Sequence, residues 1–365
     1  MTLSFDHLSS VWPRMPTSSR RNSAVICNDI SNSRVENWQR SFCQPKRRSM
    51  LDLKPILDAE VPSLVSTKPF LVDLEHDEEF TYTNMRVNIN DSYEYVDSNS
   101  YLLGHGAYGD VFKGKAIRKS PTESYSVAIK RMSQMNVKEN ELNVMKQVQS
   151  PFLVRLIDIC QDVDMTYIIM ECMHTDLEQF LRTRTTSGSL EPVDFTRVLK
   201  DIARGYFALY LEGIVHRDIK PQNVLLMLTP GKNSIEIAKL TDFGVCRMIK
   251  NEEGGLCNVA GTFWFMSPEV GANLLRTCEY NNLVDMWSIG ILLYQCLTGE
   301  LPFKESDMCR LFLYCAGHNY EAYELPPLPE NTPKEKKEII YRLLEINRDR
   351  RMTPVELNQA ALEAS

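Results

Sequence analysis

The spacing of hydrophobic and polar positions divides the chain into three regimes. Over residues 1 to about 60 apolar positions are few and follow no period, while Ser, Asn and Arg dominate. Such a segment buries too little apolar surface to offset chain entropy and is read as disordered. From about 70 the sign of the charge reverses, with Asp73, Glu75, Asp77, Glu78 and Glu79 set among Phe70, Phe80 and Tyr82. This acidic-aromatic stretch either packs on the folded part or docks a partner. Order is expected to begin near Tyr93. Strand-like runs then lie on both sides of a glycine-rich stretch, with Tyr101-Leu102-Leu103 before it and Val111-Phe112 after it. Further strands are expected at Val127-Ala128-Ile129-Lys130, over 152 to 159, and at Tyr167-Ile168-Ile169-Met170. A helix is expected from 137 to about 148, with Val144 and Val148 at i and i+4 and Glu141 with Met145 on a neighbouring stripe. Gln149-Ser150-Pro151 ends it. Past Leu177 the period is helical, over 177 to 184 and 193 to 211, where Phe195, Val198, Leu199, Ile202 and Phe207 form one apolar face.

Composition narrows the class. The 365 residues suffice for two or three domain-sized units, and 43% hydrophobic with 24% charged residues fits a soluble globular protein. A formal net charge of -7 argues against nucleic acid or an anionic membrane as partner. No apolar run approaches the roughly 18 residues of a membrane span. Ten cysteines without paired metal spacing, and no secretory leader, point to reduced thiols and a cytoplasmic address. The patches Arg20-Arg21-Asn22-Ser23 and Lys46-Arg47-Arg48-Ser49 read as phosphorylation sites, as a nuclear signal, or as a solvated tail.

Candidate chemistry concentrates in His216-Arg217-Asp218-Ile219-Lys220-Pro221-Gln222-Asn223. An acid, a base, an amide and cations within eight residues suit a loop on a rigid scaffold better than a core. Asp218 could receive a proton, Lys220 could neutralise a phosphate, and Asn223 could coordinate a hard cation. Upstream, Gly104-His105-Gly106-Ala107-Tyr108-Gly109 between two strands suggests a hairpin whose amides approach phosphate oxygens, because glycine leaves the backbone uncovered. Downstream, a Pro230-Gly231 turn delivers Leu240-Thr241-Asp242-Phe243-Gly244, and then Gly261-Thr262-Phe263-Trp264-Phe265-Met266-Ser267-Pro268-Glu269.

Taken in order, these motifs resemble the eukaryotic protein kinase family over about 101 to 360. The resemblance implies an α+β bilobal fold with a small antiparallel sheet and one main helix, a hinge at 171–176 and a larger helical lobe from 177. The kinase domain is then 93–365, with its first lobe ending near 170, and 1–92 is an extension that offers a regulatory or autoinhibitory contact. It implies ATP and Mg2+ as cofactors and proteins as substrates. Asp218 is the implied base, with Lys220 beside it, Lys130 grips the nucleotide phosphates, and Glu141 holds Lys130. Glu139 is the rival, but it lies about 200° away around the helix. Asn223 and Asp242 are the implied metal ligands. The implied nucleotide pocket comprises Leu103, Gly104, His105, Gly106, Ala107, Tyr108, Gly109, Val111, Ala128, Lys130, Met170 as gatekeeper, Glu171 and Met173 through their backbones, Asp176 at the ribose, and Leu225. Asp285 ties back to the catalytic stretch, and Arg351 pairs with Glu269.

Lys220 with Gly261-Thr262 resembles serine/threonine kinases. Gln222, Leu293 to Gly299 and Pro302-Phe303 resemble the autophagy-initiating kinases, whereas Ile214 to Lys220 with Leu240-Thr241-Asp242 resembles IκB-kinase-related enzymes. A catalytically dead scaffold and a small-molecule kinase are the alternatives. Against the first, the lysine and both aspartates are present; against the second, the segment from Thr262 to Glu269 suits a peptide acceptor. Serine stands at 267 where the family has alanine. No Ser, Thr or Tyr lies between Phe243 and Gly261, so activity is expected without a phosphate there, Glu252 or Glu253 substituting in part. Gln222 and Gln295 stand where kinases that demand upstream arginine carry glutamates. Val245 resembles kinases that accept threonine. Tyr108 is read as a stacking aromatic or as an inhibitory phosphosite.

Overall fold

The computed structural model describes residues 85–106, 109–117, 124–249, 256, 259–274 and 279–364. Ala107, Tyr108, Glu252, Glu253 and the expectations for 1–84 lie outside them.

The first strands are β1 (Met85–Ile89) and β2 (Tyr93–Asp97), joined by Asn90 and Asp91 at φ +50° and +52°. Two successive left-handed residues make a turn whose twist matches a hairpin, and Asn and Asp tolerate that region. The sheet therefore starts at Met85, eight residues before the expected onset at Tyr93. Next come β3 (Leu102–Gly106), β4 (Gly109–Ala116) and β5 (Tyr125–Ser133), then α1 (Glu139–Gln147), β6 (Leu156–Gln161) and β7 (Met165–Glu171). They form a seven-stranded antiparallel sheet in the order β1-β2-β4-β5-β7-β6, with β3 beside β4. β3 and β4 are the expected glycine hairpin.

Strand alternation sets the first functional position. Val127 and Ile129 of β5 enter the core on one face of the sheet with Tyr95 and Phe112. Ala128 and Met132 enter the other, with Val144 and Met145 of α1, and Lys130 shares their side of the strand.

Beyond the short strand β8 (Thr175–Asp176) the chain turns mostly helical, with α2 (Leu177–Arg184) and α3 (Pro192–Leu211). The strands β9 (Ile214–Val215), β10 (Val224–Leu228), β11 (Ile235–Leu240) and β12 (Arg247–Met248) follow. After α4 (Pro268–Ala272), helix α5 (Leu283–Thr298) is buried almost all round, as expected of a helix apolar on every face, and Trp287 lies fully buried in its second turn. It ends at Gly299, whose φ of +82° stops the helix. Helices α6 (Glu305–Ala316), α7 (Lys334–Leu343) and α8 (Pro354–Glu363) complete this lobe. No described helix is long and apolar enough to cross a membrane.

Candidate active site

The site is assembled by three backbone devices. The first is the β10–β11 hairpin, which pairs Val224 with Leu240. That register sets Asn223 beside Thr241, whose N–H donates to the Asn223 carbonyl at 3.0 Å, and so brings Asp242 next to the loop that ends in Asn223. The second is Asp285, fully buried at the start of α5, whose carboxylate accepts from the N–H groups of His216 and Arg217, both at 2.7 Å. Burial pushes the Asp285 carboxyl up, against the pull of His216 and these two hydrogen bonds. The third is His216, whose Nε2 lies 3.0 Å from the Thr241 carbonyl and whose ring meets Phe243 edge-on at 5.6 Å. Between these ties, Arg217 and Asp242 hold left-handed backbones at φ +68° and +63°. Non-glycine residues keep such strain only where their surroundings enforce it.

On the sheet side, Lys130 Nζ lies 2.5 Å from Glu141 Oε1, and both residues are buried. Glu139 is exposed, so Glu141 makes the contact. The other oxygen, Glu141 Oε2, is buried without a partner. Phe243 is buried in the core that includes Val144 and Met145. A Cβ at Gly244 would come within 3.3 Å of both Glu141 Oε2 and Asp242 Oδ1, so glycine lets the Asp242 loop close on α1.

Asp218, Lys220 and Thr262 form a closed triangle. Lys220 Nζ is 2.8 Å from Asp218 Oδ2 and donates to Thr262 Oγ1 at 2.9 Å, while Thr262 Oγ1 donates to Asp218 Oδ1 at 2.7 Å. Burial raises the Asp218 carboxyl, but the bonds from Lys220 and Thr262 outweigh it and hold the group below its ordinary range. Asn223 Nδ2 donates to the Asp218 carbonyl at 2.8 Å and to Oδ2 at 3.1 Å. With the amide nitrogen committed, Oδ1 is left to meet a cation. Asp242 is exposed.

The remaining candidates differ in how closely the fold holds them. At Gly104 a Cβ would meet nothing, so the protein itself does not require glycine there, whereas at Gly109 it would sit 2.1 Å from the Arg131 carbonyl. Gly106 ends β3, and His105 Nδ1 lies 2.9 Å from Asp110 Oδ1. Ala128, Met170 and Met173 are buried, Val111 and Leu225 partly so, and Leu103 is exposed. Glu171 is held through its side chain by Lys239 at 2.8 Å, and it accepts from Arg155 N at 2.7 Å. Asp176 caps α2, its Oδ1 accepting from Gln179 N at 2.8 Å, which leaves the second oxygen for a ligand. Sequence reasoning missed Tyr280, whose hydroxyl accepts from Arg217 Nη1 at 3.3 Å.

Outside the site, Arg351 clamps Glu269 with its two terminal guanidinium nitrogens, at 2.6 and 3.0 Å, against the face of Trp287. This fixes the end of the segment that carries Thr262.

Known serine/threonine kinases resemble this chain in sequence. Human serine/threonine-protein kinase ULK1 is 32% identical over 269 residues, covering 70% of this chain and 24% of that protein. The serine/threonine-protein kinase unc-51 of Caenorhabditis elegans is 33% identical over 273 residues, covering 70% and 30%. Human serine/threonine-protein kinase H1 is 32% identical over 257 residues, covering 70% and 58%. The chain thus spans less than two thirds of the length of each of these relatives. The profile of the family described as protein kinase domain matches residues 98–362, the stretch that holds the glycine hairpin, the Lys130–Glu141 pair, the catalytic loop and the Arg351 clamp, and the chain therefore belongs to the protein kinase family.

Proposed function

We propose that the chain is a serine/threonine protein kinase that transfers the terminal phosphoryl group of ATP to Ser and Thr hydroxyls of protein substrates. The observation that carries this reading is the Asp218–Lys220–Thr262 triangle, in which a base, a cation and the first residues of the acceptor platform meet at 2.7 to 2.9 Å. Phosphoryl transfer needs alignment and charge neutralisation more than covalent help. Asp218, kept ionised, orients the acceptor hydroxyl and takes its proton late in the transfer. Lys220 steadies the charge on the moving group. Lys130, held straight by Glu141, grips the nucleotide phosphates, and the β3–β4 hairpin covers them from Gly104 to Gly109. Met170, Glu171 and Met173 border the adenine, and Asp176 the ribose.

Asp242 and Asn223 offer two hard oxygen donors side by side, a set that fits magnesium. Held by these two side chains, magnesium would supply charge neutralisation to the nucleotide phosphates. The cytoplasm is our preferred address, supported by the reduced thiols of Cys160, Cys172, Cys246, Cys296 and Cys309. Of the expected extension 1–92, the part that precedes β1 is assigned a regulatory role.

The test is labelled ATP with magnesium and a degenerate peptide library, comparing the wild type with Asp218→Asn. Label on Ser and Thr peptides that Asp218→Asn abolishes supports the reading. No label from the wild type, or label unaffected by the substitution, ends it.

A further inference from the structure

Arg217 turns its guanidinium inward. Nε and Nη2 both donate to the Val245 carbonyl, Nε at 2.8 Å, and Nη1 donates to the Tyr280 hydroxyl at 3.3 Å. Arg217 is 9% exposed and Tyr280 1%. The backbone of Tyr280 is tied in turn to the segment between Asp242 and Thr262, because Leu256 N donates to the Tyr280 carbonyl at 2.9 Å and Tyr280 N donates to the Leu256 carbonyl at 2.8 Å. One residue thus holds both the catalytic loop and the segment that ends on the acceptor platform.

Gly261, at φ +108°, packs so closely that a Cβ would lie 2.5 Å from the Arg217 carbonyl. The space left among Arg217, Tyr280, Ser267 and Asp285 is about 10 Å³, enough for one water and not for a phosphate. The chain also offers no Ser, Thr or Tyr between Phe243 and Gly261 to carry one.

We propose that Tyr280 is a positioning residue for phosphoryl transfer. Its hydroxyl and its backbone bridge hold Arg217 and the 243–262 segment in the working arrangement, the part a phosphate on that segment would otherwise play. The enzyme is therefore competent with no phosphate between residues 243 and 262. The inference rests on the kinase reading above, and it replaces Glu252 and Glu253 as the expected substitutes.

Tyr280→Phe removes one oxygen and keeps the ring, so the apolar cluster of Val215, Val270 and Val284 around it survives. The protein is treated with phosphatase and shown by mass to carry no phosphate in 243–262. The treated wild type is expected to keep its turnover. Tyr280→Phe is expected to lower kcat about 5- to 20-fold and to leave KM for ATP within about twofold, since a misplaced loop slows the step without unseating nucleotide. In a cycle with Arg217→Lys, the second change should add less than about twofold to the first, as for residues acting through one contact. Three results overturn the proposal: kcat of Tyr280→Phe within twofold of wild type, additive effects in the cycle, or activity lost on phosphatase treatment with the lost phosphate mapped to Thr262. A readout independent of activity is amide exchange. In phosphate-free wild type the Leu256 amide should be protected, and Tyr280→Phe should speed exchange across 256–262 about tenfold. Exchange that is unprotected in wild type, or unchanged in the variant, also sinks the proposal. A wild type that transfers no phosphoryl group but shows the expected exchange would remove the kinase reading alone.

Discussion

Lys130 Nζ sits 2.5 Å from Glu141 Oε1, and neither side chain has much access to water, at 9% and 4% exposed. Removing one partner of such a pair leaves a buried charge alone, which typically costs about 3–5 kcal/mol, whereas replacing both by apolar groups is close to neutral. Lys130→Met should therefore lower the melting temperature by several degrees and abolish transfer. The double variant Lys130→Met/Glu141→Leu should recover most of the melting temperature and none of the activity. Thermal melts and a peptide phosphorylation assay on the same samples separate the two roles. A double variant as unstable as the single one would show that the pair does not act as a unit.

Thr262 donates to Asp218 and accepts from Lys220, so its hydroxyl lowers the base's proton affinity and ties it to the cation that Asp218 also meets directly at 2.8 Å. A carboxyl held below its ordinary range stays ionised through neutral pH, and turnover should show no acid limb from this group above about pH 4. Thr262→Val deletes one of the bonds that hold the value down, so the limb should move upward and kcat should fall about tenfold. Thr262→Ser keeps the hydroxyl and should restore both. A pH–rate profile of the three proteins checks this. An unmoved limb in Thr262→Val refutes the role given to the hydroxyl.

Much of this site is legible in the sequence because it depends on short periods. Alternation along β5 puts Lys130 on the face that meets α1, and helical spacing separates Glu141 from Glu139. The β3–β4 hairpin follows from glycines between two strand-like runs. Other features depend on distance and are silent locally. The Thr262 hydroxyl reaches Asp218 across 44 residues, and Tyr280 reaches Arg217 across 63. Neither neighbourhood carries a pattern that names its partner. The strand β1 escaped for another reason: it is an edge strand with Met85 and Arg86 exposed, so its alternation between apolar and polar residues is faint.

Asp201 of α3 is fully buried against β11. Its Oδ2 accepts from Ala238 N at 3.0 Å, and Arg197 pairs with it loosely, at 3.9 Å and half exposed. Burial pushes this carboxyl up to about 6, only partly offset by the Ala238 bond and Arg197. A folded-state value above the unfolded one means that the folded protein holds the proton more tightly. The stability this group contributes is thus complete below about pH 4 and is lost as pH rises through about 6, roughly 3 kcal/mol in all. Asp201→Asn keeps the acceptor for Ala238 and removes the charge. It should be more stable than wild type at pH 7.5, with the difference shrinking toward pH 4.5. Melting temperatures of both proteins across that range test the sign, and a gap that widens in acid would refute it.

Gln222 and Gln295 stand where the resemblance places glutamates in kinases that demand an arginine upstream of the acceptor, and the expectation is that this protein makes no such demand. Gln222 is exposed in the turn Pro221–Asn223, so a carboxylate there would be open to a peptide. Gln295 is only partly exposed, and its Oε1 is buried without a partner, so it presents little to a peptide. An exposed ion pair contributes about 0.2–1 kcal/mol, which converts to no more than about fivefold in specificity. On a peptide array the wild type should therefore show no strong preference for upstream arginine, and Gln222→Glu should create one of roughly two- to fivefold. Gln295→Glu should destabilise the protein before it alters specificity, because the new carboxylate would be desolvated on α5. A wild type that already demands arginine would mean that another surface reads the substrate. The array would locate that surface by showing which upstream position carries the demand.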